Sequence, residues 1–167
     1  FLLFTSHRAL AEAAGRLRGA LSADWPLLVQ GAAPREQLLA RFRASGRAVL
    51  LGTASFWEGV DIRGDALSML IITRLPFAVP TDPVYKARSE EYDNPFGQYA
   101  LPGAILKFRQ GFGRLIRDRE DRGVVAVLDR RIWDKGYGAQ FVAALPDCTK
   151  IKADSTTVAE RAAEWLA

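Results

Sequence analysis

Short, wholly apolar runs alternate with segments in which apolar residues recur every three or four positions. The run FLLFT ends in Thr5-Ser6, a helix N-cap signal, and Leu10, Ala13, Ala14, Leu17 and Leu21 follow at helical spacing. LLVQG reads as a short strand closed by Gly31, and Pro34 then opens a helix with Leu38, Leu39 and Phe42 as its buried stripe. Two further strands are predicted at 48–53 (AVLLGT) and 67–75 (LSMLIITRL), followed by a proline-punctuated excursion over 76–100 with a helix at 83–92. The pattern continues with a helix at 101–117, a strand at 123–128 (GVVAVL) and helices at 138–145 and 158–166. Strands that are apolar throughout, separated by helices, predict an α/β fold: a mainly parallel sheet covered by helices on both faces. Ligands of such sheets sit beyond the carboxyl ends of the strands. That rule gathers Thr5–Arg8, 52–61, 74–77 and the turn after Leu128 along one edge, and requires 110–117 to come near it.

Composition bounds the class. The chain has 167 residues, 49% apolar and 25% charged, enough for one domain with a sizeable core. No apolar run approaches the roughly 20 residues of a membrane span. Its single cysteine, Cys148, excludes an intrachain disulfide or a cysteine-ligated cluster within the chain and fits a reducing compartment. His7 is the only histidine, so no metal site is expected. The net charge of +4 is concentrated: 107–131 carries eight basic and four acidic residues, which accounts for the whole excess. Such a stripe suits a polyanionic partner, although a solvated, salt-bridged face would carry the same charges.

Three segments could carry chemistry. In the helix that runs into QGFGRLIRDRED (110–121), Ile105, Phe108, Phe112 and Leu115 make one face, while Gln110, Arg114 and Arg117 form a row on the other. Gly111 and Gly113 each cost about 1 kcal/mol in a helix interior, which points to a ligand or another backbone close by. Arginine forks suit phosphate. The second segment, GTASFWEGVD (52–61), leaves a strand end with hydroxyls (Thr53, Ser55), two aromatics (Phe56, Trp57) and two carboxylates (Glu58, Asp61) flanking Gly59. Hydroxyls suit a phosphodiester backbone, an aromatic suits either base stacking or the core, and the carboxylates either orient arginines or bind a ribose hydroxyl. The third, Thr5-Ser6-His7-Arg8, is a strand end entering a helix N-terminus, which serves either as a simple cap or as a phosphate site. No GxxxxGK[ST] loop and no DEAH-like box is present, so the chain cannot hold ATP and Mg²⁺ alone by P-loop machinery.

These segments resemble helicase motifs of the second superfamily. QGFGRLIR is similar to motif VI (Q-x-x-G-R-x-x-R), GTASFWEGVD to motif V and FLLFTS to motif IV. RLPFAVPTDPVYKAR and VVAVLDRRIWDKGYGAQFVAALP resemble the DinG/XPD group of ATP-dependent DNA helicases, nearer its DinG and YoaA branch. The likeness runs in order over residues 1 to 148. It implies the second RecA-like motor domain, with single-stranded DNA and a first RecA-like domain of the same protein as partners. That first domain would bind most of the ATP and Mg²⁺ and could carry an iron–sulfur cluster; this chain carries none. The resemblance implies Arg114 and Arg117 as arginine fingers and Gln110 near the nucleotide or attacking water. It assigns Glu58, Gly59, Asp61 and Gly113 to the ATP side, and Thr5, Ser6, Thr53, Ser55, Phe56 and Trp57 to DNA.

The expected organisation is a RecA-like domain over 1–150, with the excursion at 76–100, and an extension with one helix over 151–167. The chain, which starts without Met, reads as a domain of a longer protein: a monomeric cytoplasmic bacterial helicase active in DNA repair, associated with the nucleoid when on DNA. Two readings from other classes compete with it. One is a nucleic-acid-binding module without motor activity; the other is an α/β enzyme for a phosphorylated metabolite.

Overall fold

A computed structural model describes residues 1–53, 56, 67–116 and 122–167. Strands β1 (Leu2–Phe4), β2 (Leu27–Val29), β3 (Val49–Thr53), β4 (Met69–Ile72) and β5 (Val124–Val127) form one parallel sheet in the order β2-β3-β1-β4-β5. Side chains alternate between faces along each strand. Leu2 pairs with Leu51 and Ile71, and Leu3 with Gly52 and Ile72, so each row of paired residues lies on one face.

Both faces are covered. On one, Phe4 and Leu51 meet Leu10 and Ala14 of α1 (His7–Ala20). On the other, Leu3, Leu28, Leu50, Leu70 and Ile72 meet α2 (Arg35–Ser45) through Leu38, Leu39 and Phe42. The same core takes Leu101, Ala104, Phe108 and Leu115 of α4 (Leu101–Leu115) and Phe141 of α6 (Gly138–Ala143). Gly52 lies beneath this layer: a Cβ there would stand 3.0 Å from both the Phe1 and Phe56 rings. Gly46 ends α2 at φ 65°, a left-handed cap that glycine adopts without a side-chain clash.

The excursion after β4 is anchored by aromatic rings. Helix α3 (Pro83–Ser89), capped by Asp82 through the Tyr85 amide, stops short of the expected Tyr92. A π-helical turn, Phe96–Ala100, then feeds α4 directly. Phe77 stacks on Phe96 at 5.8 Å and meets Phe141 edge-on at 5.7 Å, while Tyr92 stacks on Tyr99 at 5.4 Å. A proline-rich stretch too poor in aliphatic residues to form its own core thus docks on the α4–α6 side.

Other boundaries shift for local reasons. The strand expected at 67–75 narrows to β4, because the Thr73 amide and hydroxyl both donate to Leu3 O and the Leu75 amide donates to the Asp129 carboxylate. A short helix, α5 (Arg131–Asp134), follows β5 where none was expected. The last helix, α7, spans Ser155–Leu166, earlier than the apolar periodicity implied, because Asp154 caps it through the Thr156 and Thr157 amides. It packs along β5, with Ala162 and Ala126 both buried. Among the described residues no helix is long and apolar enough to cross a membrane.

Candidate functional site

All five strands point the same way, so Thr5, Gln30, Thr73 and Asp129 follow their ends along one edge, where Thr53 closes β3. Thr5, Ser6 and Arg8 are exposed there. Ser6 caps α1 by accepting the Ala9 amide at 3.2 Å, which leaves its O–H able to donate and the remaining first-turn amides open. With Thr73, the exposed Arg74 and Glu12, they line a cleft of about 290 Å³. The charge of Glu12 is already answered, since Arg16 holds it in an ion pair at 2.7 Å. Hydroxyls, helix amides and two guanidinium groups at the open end of a sheet suit an anionic backbone.

Two residues expected to touch DNA are spent inside the protein. Phe56 is only 4% exposed, meets the Phe1 ring edge-on at 6.4 Å and lies under the Arg35 guanidinium at 5.8 Å. A ring committed to the core in this way has no face for a base, which corrects the stacking expectation. Thr53 is buried as well: Gln30 Oε1 accepts from its amide at 2.7 Å and its hydroxyl at 3.0 Å. Gln30, which no sequence motif singles out, thereby locks the end of β3 to that of β2. Ser55 and Trp57 lie outside the described residues.

The same edge holds a clamp that the sequence pattern did not reveal. Asp129, largely buried after β5, accepts from the Leu75 amide at 2.9 Å, the Arg131 amide at 3.0 Å and the Arg131 guanidinium at 2.6 Å. Arg131 in turn covers the Phe77 ring at 5.5 Å. Burial opposes ionisation of Asp129, but the hydrogen bonds from Arg131 and Leu75 together outweigh it and hold its pKa below the ordinary value. Its stabilising contribution is therefore complete above the unfolded value of about 3.9 and disappears as pH falls through the lower folded value. Asp129→Ala should destabilise the chain by about 2 kcal/mol, mainly by stranding the Leu75 amide. Asp129→Asn should flatten the melting temperature's dependence on pH below about 4, measurable by thermal denaturation across a pH series.

The glycine–arginine helix takes its row elsewhere. A helix joining parallel strands must return to the start of the next one, and α4 does so: a Cβ on Gly123, just before β5, would press on the Leu115 side chain at 2.8 Å. Gly113 and Arg114, in the last turn of α4, therefore stand toward the amino-terminal edge, with Gln110 a turn further back. The last turn of α4 thus lies toward the other end of the sheet from Thr5 and Arg74. Phe108, Phe112 and Leu115 are buried as their spacing predicted, with Gly111 on the same side. Gln110 and Gly113 are exposed and Arg114 is half-buried. A Cβ on Gly113 would meet nothing within 4 Å, so no neighbour within the described chain requires a glycine there. Among the described residues Arg114 has no ion-pair or hydrogen-bond partner. The helix ends at Leu115, and Ile116 is extended (φ −113°, ψ 111°), so α4 stops short of the expected residue 117. Arg117, Glu58, Gly59 and Asp61 lie outside the described residues.

The family model of the helicase C-terminal domain matches residues 1–148 of this chain. The chain belongs to that family. The helicase C-terminal domain is 44% identical over 156 residues to the ATP-dependent DNA helicase YoaA of Escherichia coli K12, covering 91% of this chain and 24% of that protein. It is 45% identical over 152 residues to a Bacillus subtilis protein named 3′-5′ exonuclease DinG, covering 87% of this chain and 16% of that one. The likeness fits a DinG-family C-terminal domain, and the chain spans a quarter or less of these relatives' lengths. Among solved structures, the DEAD-box protein SrmB of E. coli, crystallised with the regulator of ribonuclease activity A, superposes with a TM-score of 0.51 at 12% identity. That match covers 93% of this chain and 74% of SrmB and supports the RecA-like α/β fold alone. The residues of α7 fall outside the family match.

Proposed function

We propose that this helicase C-terminal domain is the second motor domain of an ATP-dependent DNA helicase or single-strand translocase acting in DNA repair, and that it uses its two sheet edges for different ligands. Its amino edge forms one wall of an ATP site whose other wall is the first RecA-like domain of the same protein. Arg114 there projects a guanidinium toward the transferring phosphoryl group and offsets the charge that develops in the transition state. Arg117 shares this role, Gln110 orients the attacking water or the nucleotide, and Glu58, Gly59 and Asp61 couple the nucleotide to the Gln110–Arg117 stretch. Gly113 leaves room for the first domain to close. The observation that carries this reading is the pairing of an open Gly113 with an Arg114 that has no partner among the described residues. A guanidinium held half-buried with no counter-ion among the described residues suits an anion supplied from outside the chain.

ATP supplies the phosphoryl group, and the first domain holds most of the ATP and the Mg²⁺, because this chain carries neither a GxxxxGK[ST] loop nor a DEAH-like box. An iron–sulfur cluster does not fit this chain, whose one cysteine cannot ligate it. The isolated domain, having one wall, hydrolyses ATP negligibly.

The carboxyl edge grips the single strand. Thr5, Ser6 and the α1 amides receive phosphates, Arg8 and Arg74 neutralise them, and Ser55 and Trp57 contribute from the adjoining segment. Replacing both Arg8 and Arg74 by Ala in the full-length protein should weaken single-strand binding for all sequences alike. It should also lower the slope of log K against log salt by about 1.4, about 0.7 for each phosphate no longer neutralised. Fluorescence anisotropy across a salt series measures this, and an unchanged slope removes the edge from the DNA path. DNA-stimulated ATP hydrolysis by the full-length protein tests the motor reading. Binding to single strands without any such hydrolysis would leave a nucleic-acid-binding module.

A further inference from the structure

Helix α7 lies beyond the family match, yet it reaches the edge where Arg114 stands. Lys152 places its ammonium over the Trp133 ring of α5 at 5.5 Å, pinning the extension near the carboxyl end of β5. From there α7 runs along β5, with Ala162 buried, to its opposite end. There the Arg122 guanidinium lies over the Trp165 ring at 4.9 Å. Arg122 adjoins Gly123, and Gly123 seats the Leu115 side chain so closely that a Cβ could not be added without displacing it. Leu115 is the last residue of α4 and the neighbour of Arg114. Trp165, Arg122, Gly123, Leu115 and Arg114 thus form one continuous line of contacts and chain neighbours.

We infer that Trp165 is a positioning residue for Arg114: by holding Arg122 it fixes the start of β5, and through Gly123 and Leu115 the end of α4. Trp165 touches neither nucleotide nor DNA. It acts on how much of the time the guanidinium occupies its working position. The assignment rests on the arginine-finger reading of Arg114, and packing of this kind carries coupling through contiguous contacts. A ring–guanidinium contact is suited to the task because it tolerates exposure: Trp165 is 55% exposed and Arg122 is also open to solvent.

The test uses the full-length protein and DNA-stimulated ATP hydrolysis. Trp165→Ala should lower kcat by about threefold to thirtyfold with KM for ATP and single-strand affinity unchanged. Trp165→Phe, which keeps a ring for Arg122, should recover most of the rate. In an Arg114→Ala background, Trp165→Ala should have no further effect on kcat, because the residue it positions is gone. A rate within twofold of wild type for Trp165→Ala, or an equal loss in the Arg114→Ala background, would overturn the inference. So would a loss shared equally by Trp165→Phe, which would reduce the ring to general packing. If Arg114→Ala itself keeps wild-type kcat, the finger reading fails first; if it is crippled while Trp165→Ala is not, only the role of α7 fails.

Discussion

Arg114→Ala in the full-length protein is expected to lower kcat for DNA-stimulated ATP hydrolysis by about 10³- to 10⁵-fold, the range associated with arginine fingers. The structural basis is the position of Arg114 at the exposed end of α4, half-buried and without a partner among the described residues. A cation in that state does little for the fold, so its removal should leave stability nearly unchanged. A charge aimed at a transferring phosphoryl group acts mainly in the transition state, so KM for ATP should change far less than kcat. Arg114→Lys should recover little, because an ammonium lacks the planar fork that bonds two phosphate oxygens at once. Steady-state kinetics with saturating single-stranded DNA separates these outcomes. A rate within a few-fold of wild type would remove Arg114 from the chemistry.

Gly138→Ala should produce the largest loss of stability, by about 3 kcal/mol or more. Gly138 is buried at the start of α6, where a methyl group would collide with the Ile132 carbonyl and come within 2.9 Å of the Arg131 carbonyl oxygen. Both obstacles are backbone, so no rotamer change relieves them. The strain would fall on α5 and on Phe141, which is fully buried against Phe108 and Phe77. Gly136→Ala is the matched control: its new Cβ meets nothing within 4 Å, and the change should stay within about 0.5 kcal/mol. Urea denaturation of the two variants should show a lower midpoint for Gly138→Ala alone.

The strands were legible because β1 to β5 are nearly pure aliphatic runs, and runs of that kind leave a parallel sheet little choice but burial on both faces. The buried face of α4 was legible from spacing alone, through Phe108, Phe112 and Leu115. What spacing hid was direction. A helix between parallel strands must run back, so the late residues of α4, Gln110 and Arg114, do not share the position of residues that follow strand ends. Phe56 and Thr53 show a second limit. Ring and hydroxyl chemistry is visible in a sequence, but their burial depends on Phe1 and Gln30, which are distant in the chain. Asp129 belongs with them, since its partner amide at Leu75 is 54 residues away. The early start of α7 followed from a local signal, Asp154 as an N-cap, that apolar periodicity passes over.

Opposite placement of the two edges gives the sheet a mechanical property. Five hydrogen-bonded parallel strands packed between helices make a stiff body, so the domain behaves as a lever rather than a spring. If the domain pivots at Arg114, as the proposed ATP site requires, an arm of roughly 15 Å turns a tilt of about 10° into about 2.6 Å at the other edge. A small change in how the domain seats at Arg114 would then become travel at Thr5 and Arg74, with no strand needing to bend.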